Sequence, residues 1–220
     1  MPSSPPSHDV ARDLLRIGAV ELRPSDPFTW ASGLRSPIYC DNRLTLSEPA
    51  VRRRLTDGFA ALVEAHDLAP DVVAGTATAG IPHAAWLADR LGLPMVYVRA
   101  SAKGHGRGNQ IEGRLPEDAR VVLIEDLVST GGSSLAAVAA LRAAGAEVVA
   151  TLAVFSYAFD RAADAFRAAG VPLYTLTDYP ALLGAATEAG AVTEADLATL
   201  RAWREDPQAW SERMRGGSGR

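Results

Sequence analysis

The fold class is indicated by one stretch near the middle of the chain, Val121-Val122-Leu123-Ile124-Glu125-Asp126-Leu127-Val128-Ser129-Thr130-Gly131-Gly132-Ser133-Ser134. It begins with an apolar run that is typical of a buried strand and that ends in two adjacent acids. A Ser/Thr/Gly turn follows and opens into a predicted helix near 132–144. A strand, a tight turn and a helix in direct succession are typical of a parallel α/β sheet.

The same alternation of strand and helix continues on both sides of this stretch. Short β-branched runs without polar alternation are separated by helical segments, which predicts an α/β fold with a parallel twisted sheet flanked by helices. The predicted strands are 71–75, 95–99, 121–125, 147–155 and 173–176, and the predicted helices are 81–91, 132–144 and 160–169. Open parallel sheets bind ligands at the carboxyl ends of their strands. We therefore expect the chemistry in the loops after residues 75, 99 and 125.

The N-terminal part of the chain has a different pattern, which predicts a small hood over the sheet. An amphipathic helix is expected over His8–Val20, and short strands over 28–30 and 38–40 around a Ser32-Gly33 turn. Ser47 is predicted to cap a long helix over about 48–66. We expect the following organisation: a disordered N-terminus (1–7), a single domain (8–205) with its hood (about 8–45) and core (about 48–180), and a C-terminal helix with a flexible tail (206–220).

The composition excludes several classes of protein. The 220 residues include 22 basic and 26 acidic ones, a net charge of −4, which argues against a broad basic face for nucleic acid. No apolar run approaches the roughly 20 residues of a membrane span, and the first residues lack the pattern of a signal peptide. Cys40 is the one cysteine, so an intramolecular disulfide is excluded. We expect a cytoplasmic protein without nucleic-acid or membrane partners.

The turn after the two acids has the chemistry of a ribose-5-phosphate site. Backbone N–H groups at a helix N-terminus bind anions, and Gly131 and Gly132 allow a phosphate to approach the main chain. Hydroxyl donors are added by Ser129, Thr130 and Ser133. Because Glu125 and Asp126 repel phosphate, they are expected to face ribose hydroxyls or a magnesium ion that the ligand carries. An ordinary strand–turn–helix with solvated acids is the alternative.

The loops after residues 75 and 99 are also rich in small residues. The first, 75–82, exposes backbone N–H groups and fits either an anion site or a plain β–α turn. The second, 99–109, holds Arg99, Lys103, His105 and Arg107 among three glycines, and it predicts a mobile cationic lid or, alternatively, a solvated loop. Lys103 is unusual, since the other 21 basic residues are arginines. Lysine is a compact, mobile point charge, whereas arginine is a planar fork.

Three segments together carry a family resemblance over roughly residues 10–190. The stretch 121–134 resembles the phosphoribosyl-pyrophosphate (PRPP) motif of type I phosphoribosyltransferases. The loop 99–109 resembles the catalytic loop of the orotate phosphoribosyltransferases, although Ala100 stands where many members have a second lysine. The hood segment 28–43, with Trp-Ala-Ser-Gly and Tyr-Cys-Asp-Asn, resembles the hood of the same family, with Ala31 where other branches carry lysine.

The resemblance implies an enzyme that transfers ribose 5-phosphate from PRPP to orotate, giving orotidine 5′-monophosphate and pyrophosphate in pyrimidine (UMP) synthesis. It implies Mg²⁺ carried by PRPP rather than bound directly, and a homodimer that shares the lid. The implied catalytic residues are Lys103, His105, Glu125 and Asp126. PRPP binding is implied for these four and for Arg99, Leu127, Val128, Ser129, Thr130, Gly131, Gly132 and Ser133, with Ser129 also near orotate.

Three other functions stay open at this point. A purine or uracil phosphoribosyltransferase would share the PRPP motif but not the hood. A non-catalytic regulator that senses PRPP or nucleotides would need a basic face or an added DNA-binding unit, against which the net charge argues. A nucleotide-binding dehydrogenase is disfavoured because no Gly-x-Gly-x-x-Gly follows the first core strand.

Overall fold

A computed structural model describes residues 7–30, 32–101 and 110–216. Its main element is a six-stranded sheet. The strands are β5 (Val72–Thr76), β6 (Met95–Val98), β7 (Ile111–Glu112), β8 (Arg120–Val128), β9 (Glu147–Ser156) and β10 (Leu173–Asp178). Their order in the sheet is β10-β9-β8-β5-β6-β7, and neighbouring pairs are parallel except for β6 and β7, which are antiparallel. The predicted α/β sheet is therefore confirmed, with β7 as an antiparallel edge that the sequence did not indicate.

Helices cover both faces of this sheet. They are α1 (Ser7–Arg16), α2 (Pro49–Ala65), α3 (Gly80–Leu91), α4 (Gly132–Ala143), α5 (Asp160–Ala168), α6 (Tyr179–Glu188), α7 (Glu194–Glu205) and α8 (Pro207–Gly216). Alternate residues of β8 enter different cores, since Val122 and Ile124 pack with the cluster that contains α1, α2 and α6, whereas Val121 and Leu123 pack with the cluster that contains α4 and α5. The apolar run of β8 therefore lacks polar alternation because both of its faces are buried.

Two small antiparallel ribbons precede the core, and they correct the predicted pairing. β1 (Val20–Leu22) pairs with β4 (Ile38–Cys40), and β2 (Phe28–Thr29) pairs with β3 (Arg35–Ser36). The predicted strands 28–30 and 38–40 therefore exist in outline but do not pair with each other. The prediction of a helix to Val20 was wrong, because the chain leaves α1 after Arg16 and adopts φ +71° at Gly18 before pairing as β1.

The start of α2 and both ends of the chain also differ from the expectation. Ser47 ends a 3-10 helix (Asn42–Ser47) instead of capping α2, which begins with Pro49 after Glu48. Proline is favoured there because its fixed φ suits the first helical turn and its missing N–H costs nothing. Ser7, expected to be disordered, begins α1, and its hydroxyl donates to Thr177 Oγ1 at 3.2 Å. The remaining predictions for the ends, residues 1–6 and 217–220, lie outside the described residues.

Candidate active site at the carboxyl end of the sheet

The predicted loops meet where the order of the sheet changes direction. From β5 the chain proceeds to β6 on one side and then to β8 on the other, so the boundary between β5 and β8 is the switch point at which open sheets bind ligands. The β5–β8 ladder ends at Gly75 and Ile124, whereas the β8–β9 ladder continues to Val128 and Ser156. The acidic pair that follows Ile124 thus lies beside a gap. The predicted end of this strand at Glu125 was wrong, because pairing with β9 extends β8 by three more residues, to Val128.

Next to this gap, Glu125 is buried and its carboxylate is fixed by hydrogen bonds. Its side chain is 4% exposed, and Oε2 accepts hydrogen bonds from Ser134 Oγ at 2.9 Å and Ser133 Oγ at 3.5 Å. Oε1 accepts from the Asp126 backbone N–H at 3.2 Å. Burial, and then the neighbouring Asp126 charge, raise the pKa of Glu125 above its ordinary value. Burial thus favours the neutral carboxylic acid, and a positive charge nearby would stabilise the ionised carboxylate.

Asp126 is more open and connects the gap to the hood. Its side chain is partly exposed, and burial raises its pKa, although the hydrogen bonds that it accepts and the charge of Arg43 act against this. Its backbone carbonyl accepts a hydrogen bond from Asn42 Nδ2 at 2.7 Å. The hood is thereby fixed to the acidic pair at one point, and the Asp126 carboxylate remains available to a ligand.

The turn between β8 and α4 has the backbone geometry of an anion site. Gly131 adopts φ +83° at the N-cap of α4, and a Cβ added to it would lie 2.9 Å from Cε2 of Phe166. The first backbone N–H groups of α4 have no partners within the helix and carry its positive dipole end. Of the predicted hydroxyl donors, Thr130 and Ser133 are exposed and Ser129 is partly exposed. Leu127 and Val128 belong to the last part of β8 and precede this turn.

The β5–α3 loop contacts the acidic strand through its backbone. A Cβ added to Gly80 would lie 2.5 Å from the Ile124 carbonyl oxygen, so only glycine permits this approach. At the end of β5, the buried Thr76 Oγ1 has no hydrogen-bond partner among the described residues. A buried polar atom in this state is costly unless something else binds it. This loop is consequently suited to a polar ligand at the same edge of the sheet.

The structure describes only the base of the predicted lid. Arg99 follows β6, its backbone N–H donates to Gln110 O at 2.8 Å, and its guanidinium lies 3.4 Å from Glu112 Oε1. Lys103 and His105 lie outside the described residues. Arg99, where the predicted lid begins, therefore lies near the β5–α3 loop, since β5 and β6 are neighbours.

The hood presents an exposed aromatic ring. Tyr39 is 41% exposed, and its ring centroid lies 5.5 Å from that of Phe28. Cys40, two residues before Asn42, donates its thiol to Asn42 Oδ1 at 3.4 Å, and burial raises the pKa of that thiol far above its usual range. A buried thiol with a raised pKa is typical of a structural rather than a reactive cysteine.

Sequence reasoning did not assign roles to Ser134, Asn42 or Thr76. Ser134 lies one residue beyond the predicted turn, where the first turn of a helix directs its hydroxyl back toward the preceding strand. Asn42 reaches its partner across 84 residues of chain, which no local pattern could indicate. Thr76 carried a usable signal, because a polar β-branched residue ended an otherwise apolar strand.

The part of the chain that the structure describes contains neither a cluster of metal ligands nor a helix suited to crossing a membrane. Residues 7–30, 32–101 and 110–216 contain no group of three or more His, Cys, Asp or Glu side chains that could hold a metal ion. Across the same ranges, no helix combines the length and the apolar character that crossing a membrane requires.

Comparisons with known proteins agree with this site. Residues 46–171 match the model of the phosphoribosyl transferase domain. The chain is 59% identical over 203 residues to the orotate phosphoribosyltransferase of Bacillus caldolyticus, covering 92% of this chain and 98% of that protein. It is 57% identical to the enzyme of the same name from Cutibacterium acnes, covering 94% and 95%. The crystal structure of orotate phosphoribosyltransferase from Aeropyrum pernix superposes with a TM-score of 0.71 at 32% identity, covering 84% and 99%. The chain belongs to the phosphoribosyl transferase family and, within it, to the orotate phosphoribosyltransferases.

Proposed function

We propose that this chain transfers ribose 5-phosphate from PRPP to orotate, releasing pyrophosphate, in pyrimidine synthesis. One observation carries the proposal beyond family membership. The buried carboxylate of Glu125, the open carboxylate of Asp126 and the N-terminus of α4 meet at one edge of the sheet, at its switch point. A ligand that carries a phosphate on one side and a developing positive charge on the other matches this combination.

The β8–α4 turn would bind the 5′-phosphate. Residues 128–133 supply backbone N–H groups and the hydroxyls of Ser129, Thr130 and Ser133, and Gly131 keeps the turn tight enough for the phosphate to reach the helix N-terminus. Leu127 and Val128 would shape the floor of this site at the end of β8. The phosphate thereby anchors the ribose directly above the acidic pair.

Asp126 and Glu125 would hold the ribose hydroxyls and stabilise the transition state. As the bond from the anomeric carbon to pyrophosphate breaks, the sugar becomes oxocarbenium-like and positively charged. Two carboxylates in a partly desolvated site stabilise that charge more strongly than water does. No side chain needs to act as a nucleophile, so catalysis rests on positioning and electrostatics.

Magnesium fits this scheme as a part of the substrate. Glu125 is buried and both of its oxygens accept hydrogen bonds from protein donors, whereas Asp126 is partly exposed and is therefore the more available carboxylate. Mg²⁺ prefers one or two carboxylates combined with substrate phosphates over a complete protein cage. We therefore propose that Mg²⁺ enters with PRPP and is bound by its oxygens.

The leaving pyrophosphate would bind between the β5–α3 loop and the lid. The buried Thr76 hydroxyl and the backbone of 76–80 lie on one side, with Arg99 at the base of the lid on the other. Lys103 and His105 would bring positive charge onto the pyrophosphate. The family resemblance supports a homodimer in which the partner's lid contributes these two residues.

Orotate would bind on the hood side of the ribose, near Ser129. The exposed ring of Tyr39, supported by Phe28, offers a face for a flat heterocycle, and Asn42 holds this part of the hood to the Asp126 backbone. This arrangement favours a base bound between the hood and the β8–α4 turn, residues 128–133, which we call the phosphate turn.

A spectrophotometric assay with orotate, PRPP and MgCl₂ tests the proposal. We expect the loss of orotate absorbance to require all three components, and EDTA to abolish it. Parallel reactions with hypoxanthine and uracil serve as specificity controls. Turnover of either base without turnover of orotate would reject orotate as the substrate, and binding of PRPP without turnover of any base would favour a sensor.

Two lid variants test the proposed role of Lys103. Lys103→Ala should lower kcat at least ~100-fold, the effect of losing one transition-state charge donor. Arg107→Ala removes a cation from the same loop at a position without a proposed role, and it should stay near wild-type turnover. Equal effects of the two substitutions would show that only the overall charge of the loop matters.

A further inference from the structure

The C-terminal helices α7 and α8 follow the matched family domain, residues 46–171. They form hydrogen bonds with the β9–α5 loop, which lies next to the phosphate turn, and with the hood. We propose that these helices form a brace in which Arg204 positions the phosphate turn and Ser211 positions the hood. The functional part of this proposal rests on the proposed reaction, whereas its structural part does not.

Arg204 fixes the loop between β9 and α5. Its Nε donates to Tyr157 O at 3.3 Å, and a terminal nitrogen donates to Ala158 O. Ala158 adopts φ +53°, which an alanine rarely does without support from its surroundings. The planar guanidinium reaches two successive carbonyl groups from one side chain, a geometry that lysine cannot reproduce.

The loop that Arg204 holds is bonded in turn to the phosphate turn. The Tyr157 N–H donates to Val128 O at 3.1 Å, at the point where β8 passes into that turn. Just beyond the same loop, α5 contributes Phe166, whose ring lies under Gly131. Displacement of residues 157–160 would therefore change both the entry to the turn and the support beneath it.

The second half of the brace holds the β2–β3 ribbon of the hood. Ser211, which is 1% exposed, accepts a hydrogen bond on Oγ from the Arg35 N–H at 2.8 Å. Arg215 donates to the Gly33 carbonyl oxygen. Because β3 pairs with β2, these bonds also hold Phe28, the ring that supports Tyr39.

A buried ring joins the two halves. Trp203 is fully buried, and its ring centroid lies 5.5 Å from that of Tyr157 and 5.9 Å from that of Trp30. Trp30 belongs to the hood and Tyr157 to the β9–α5 loop, so one α7 side chain packs against both. The two halves of the brace thus share one buried packing contact, while each holds its own segment by hydrogen bonds.

Two substitutions should split the kinetic constants in opposite ways. Arg204→Gln should raise KM for PRPP about tenfold with a smaller change in KM for orotate. Ser211→Ala should instead raise KM for orotate about tenfold with a smaller change in KM for PRPP. A tenfold change corresponds to the loss of one hydrogen bond to a positioned group. Arg204→Lys should fall between Arg204→Gln and wild type. The matched controls are Arg201→Gln, an exposed arginine one turn earlier on α7, and Thr199→Ala, whose hydroxyl bonds to its own helix at Ala195 O.

Amide hydrogen exchange tests the brace without any turnover. Arg204→Gln should speed exchange in residues 157–163, and Ser211→Ala should speed it in residues 28–36, while core residues 148–154 stay protected in both. Exchange that rises uniformly, or a loss of kcat with both KM values unchanged, would show a merely structural role and overturn the proposal. If the wild type shows no turnover of orotate, the proposed function fails, and the exchange pattern still decides on the brace.

Discussion

The two halves of the candidate site are built in opposite ways. The phosphate half is local in sequence, since Glu125, Gly131 and Ser134 lie within ten residues and bond to one another or to adjacent elements. The hood half is assembled from distant segments, because Asn42 bonds to Asp126 and Arg35 bonds to Ser211. A local site can be inferred from a motif, whereas an assembled one depends on contacts that only the folded chain establishes.

The largest expected effect tests the phosphate half. Asp126→Asn keeps the shape of the side chain but removes the charge proposed to face the ribose, so kcat should fall about 100- to 1,000-fold. Steady-state kinetics with saturating orotate and PRPP measure this. Asp41→Asn is the matched control in the hood, where the carboxylate is paired with Arg43 at 2.6 Å, and it should change kcat little. Comparable losses in both variants would contradict the special role of Asp126.

The next effect concerns the backbone of the phosphate turn. Gly131→Ala should destabilise the protein by about 1–2 kcal/mol from the positive φ alone, with a further cost from the contact with Phe166. Gly190→Ala isolates the first contribution, because Gly190 has φ +66° and no atom within 4 Å of an added Cβ. Urea unfolding of both variants measures the difference. If the two lose equal stability, Phe166 does not constrain the turn.

This contrast also explains what the sequence could predict. The apolar runs indicated the strands of the sheet, because burial on both faces removes polar alternation. The acidic pair and the glycines indicated the phosphate half, because their chemistry lies in adjacent residues. The pairing of the hood was predicted wrongly, since the predicted first helix included Val20, no strand was predicted over the rest of β1, and its partner β4 is 16 or more residues away. Nothing near Arg204 or Ser211 in sequence indicates the hood or the loop that they hold.

A smaller effect tests the hood half. Tyr39→Leu keeps an apolar side chain but removes the ring, and it should raise KM for orotate about tenfold, which corresponds to the stacking of one base on an aromatic side chain. KM for PRPP should change little. Leu44→Ala is the control, as Leu44 is the other large apolar side chain with high exposure, 44%, among the described residues. An unchanged KM for orotate in Tyr39→Leu would remove this ring from the base site.

A separate effect is one of stability rather than of activity and follows from the raised pKa of Glu125. The folded protein holds this proton more tightly than the unfolded chain does. At pH values above the ordinary glutamate pKa of about 4.3, the folded state therefore keeps a proton that the unfolded state has lost. The contribution of this group to stability is thus fully present below that pH and is lost as pH rises toward the raised value.

Glu125→Gln removes this titration while keeping an acceptor for Ser134. The variant should be more stable than wild type by on the order of 1 kcal/mol per unit of pKa shift at pH values above the raised pKa, with the difference vanishing near pH 4. Thermal unfolding across pH measures it, with the exposed Glu117→Gln as the control. Lower activity combined with higher stability would mean that the phosphate half retains a buried charge for catalysis at a cost to the fold. A stability difference that does not change with pH would show that Glu125 titrates normally and that its burial is electrostatically neutral.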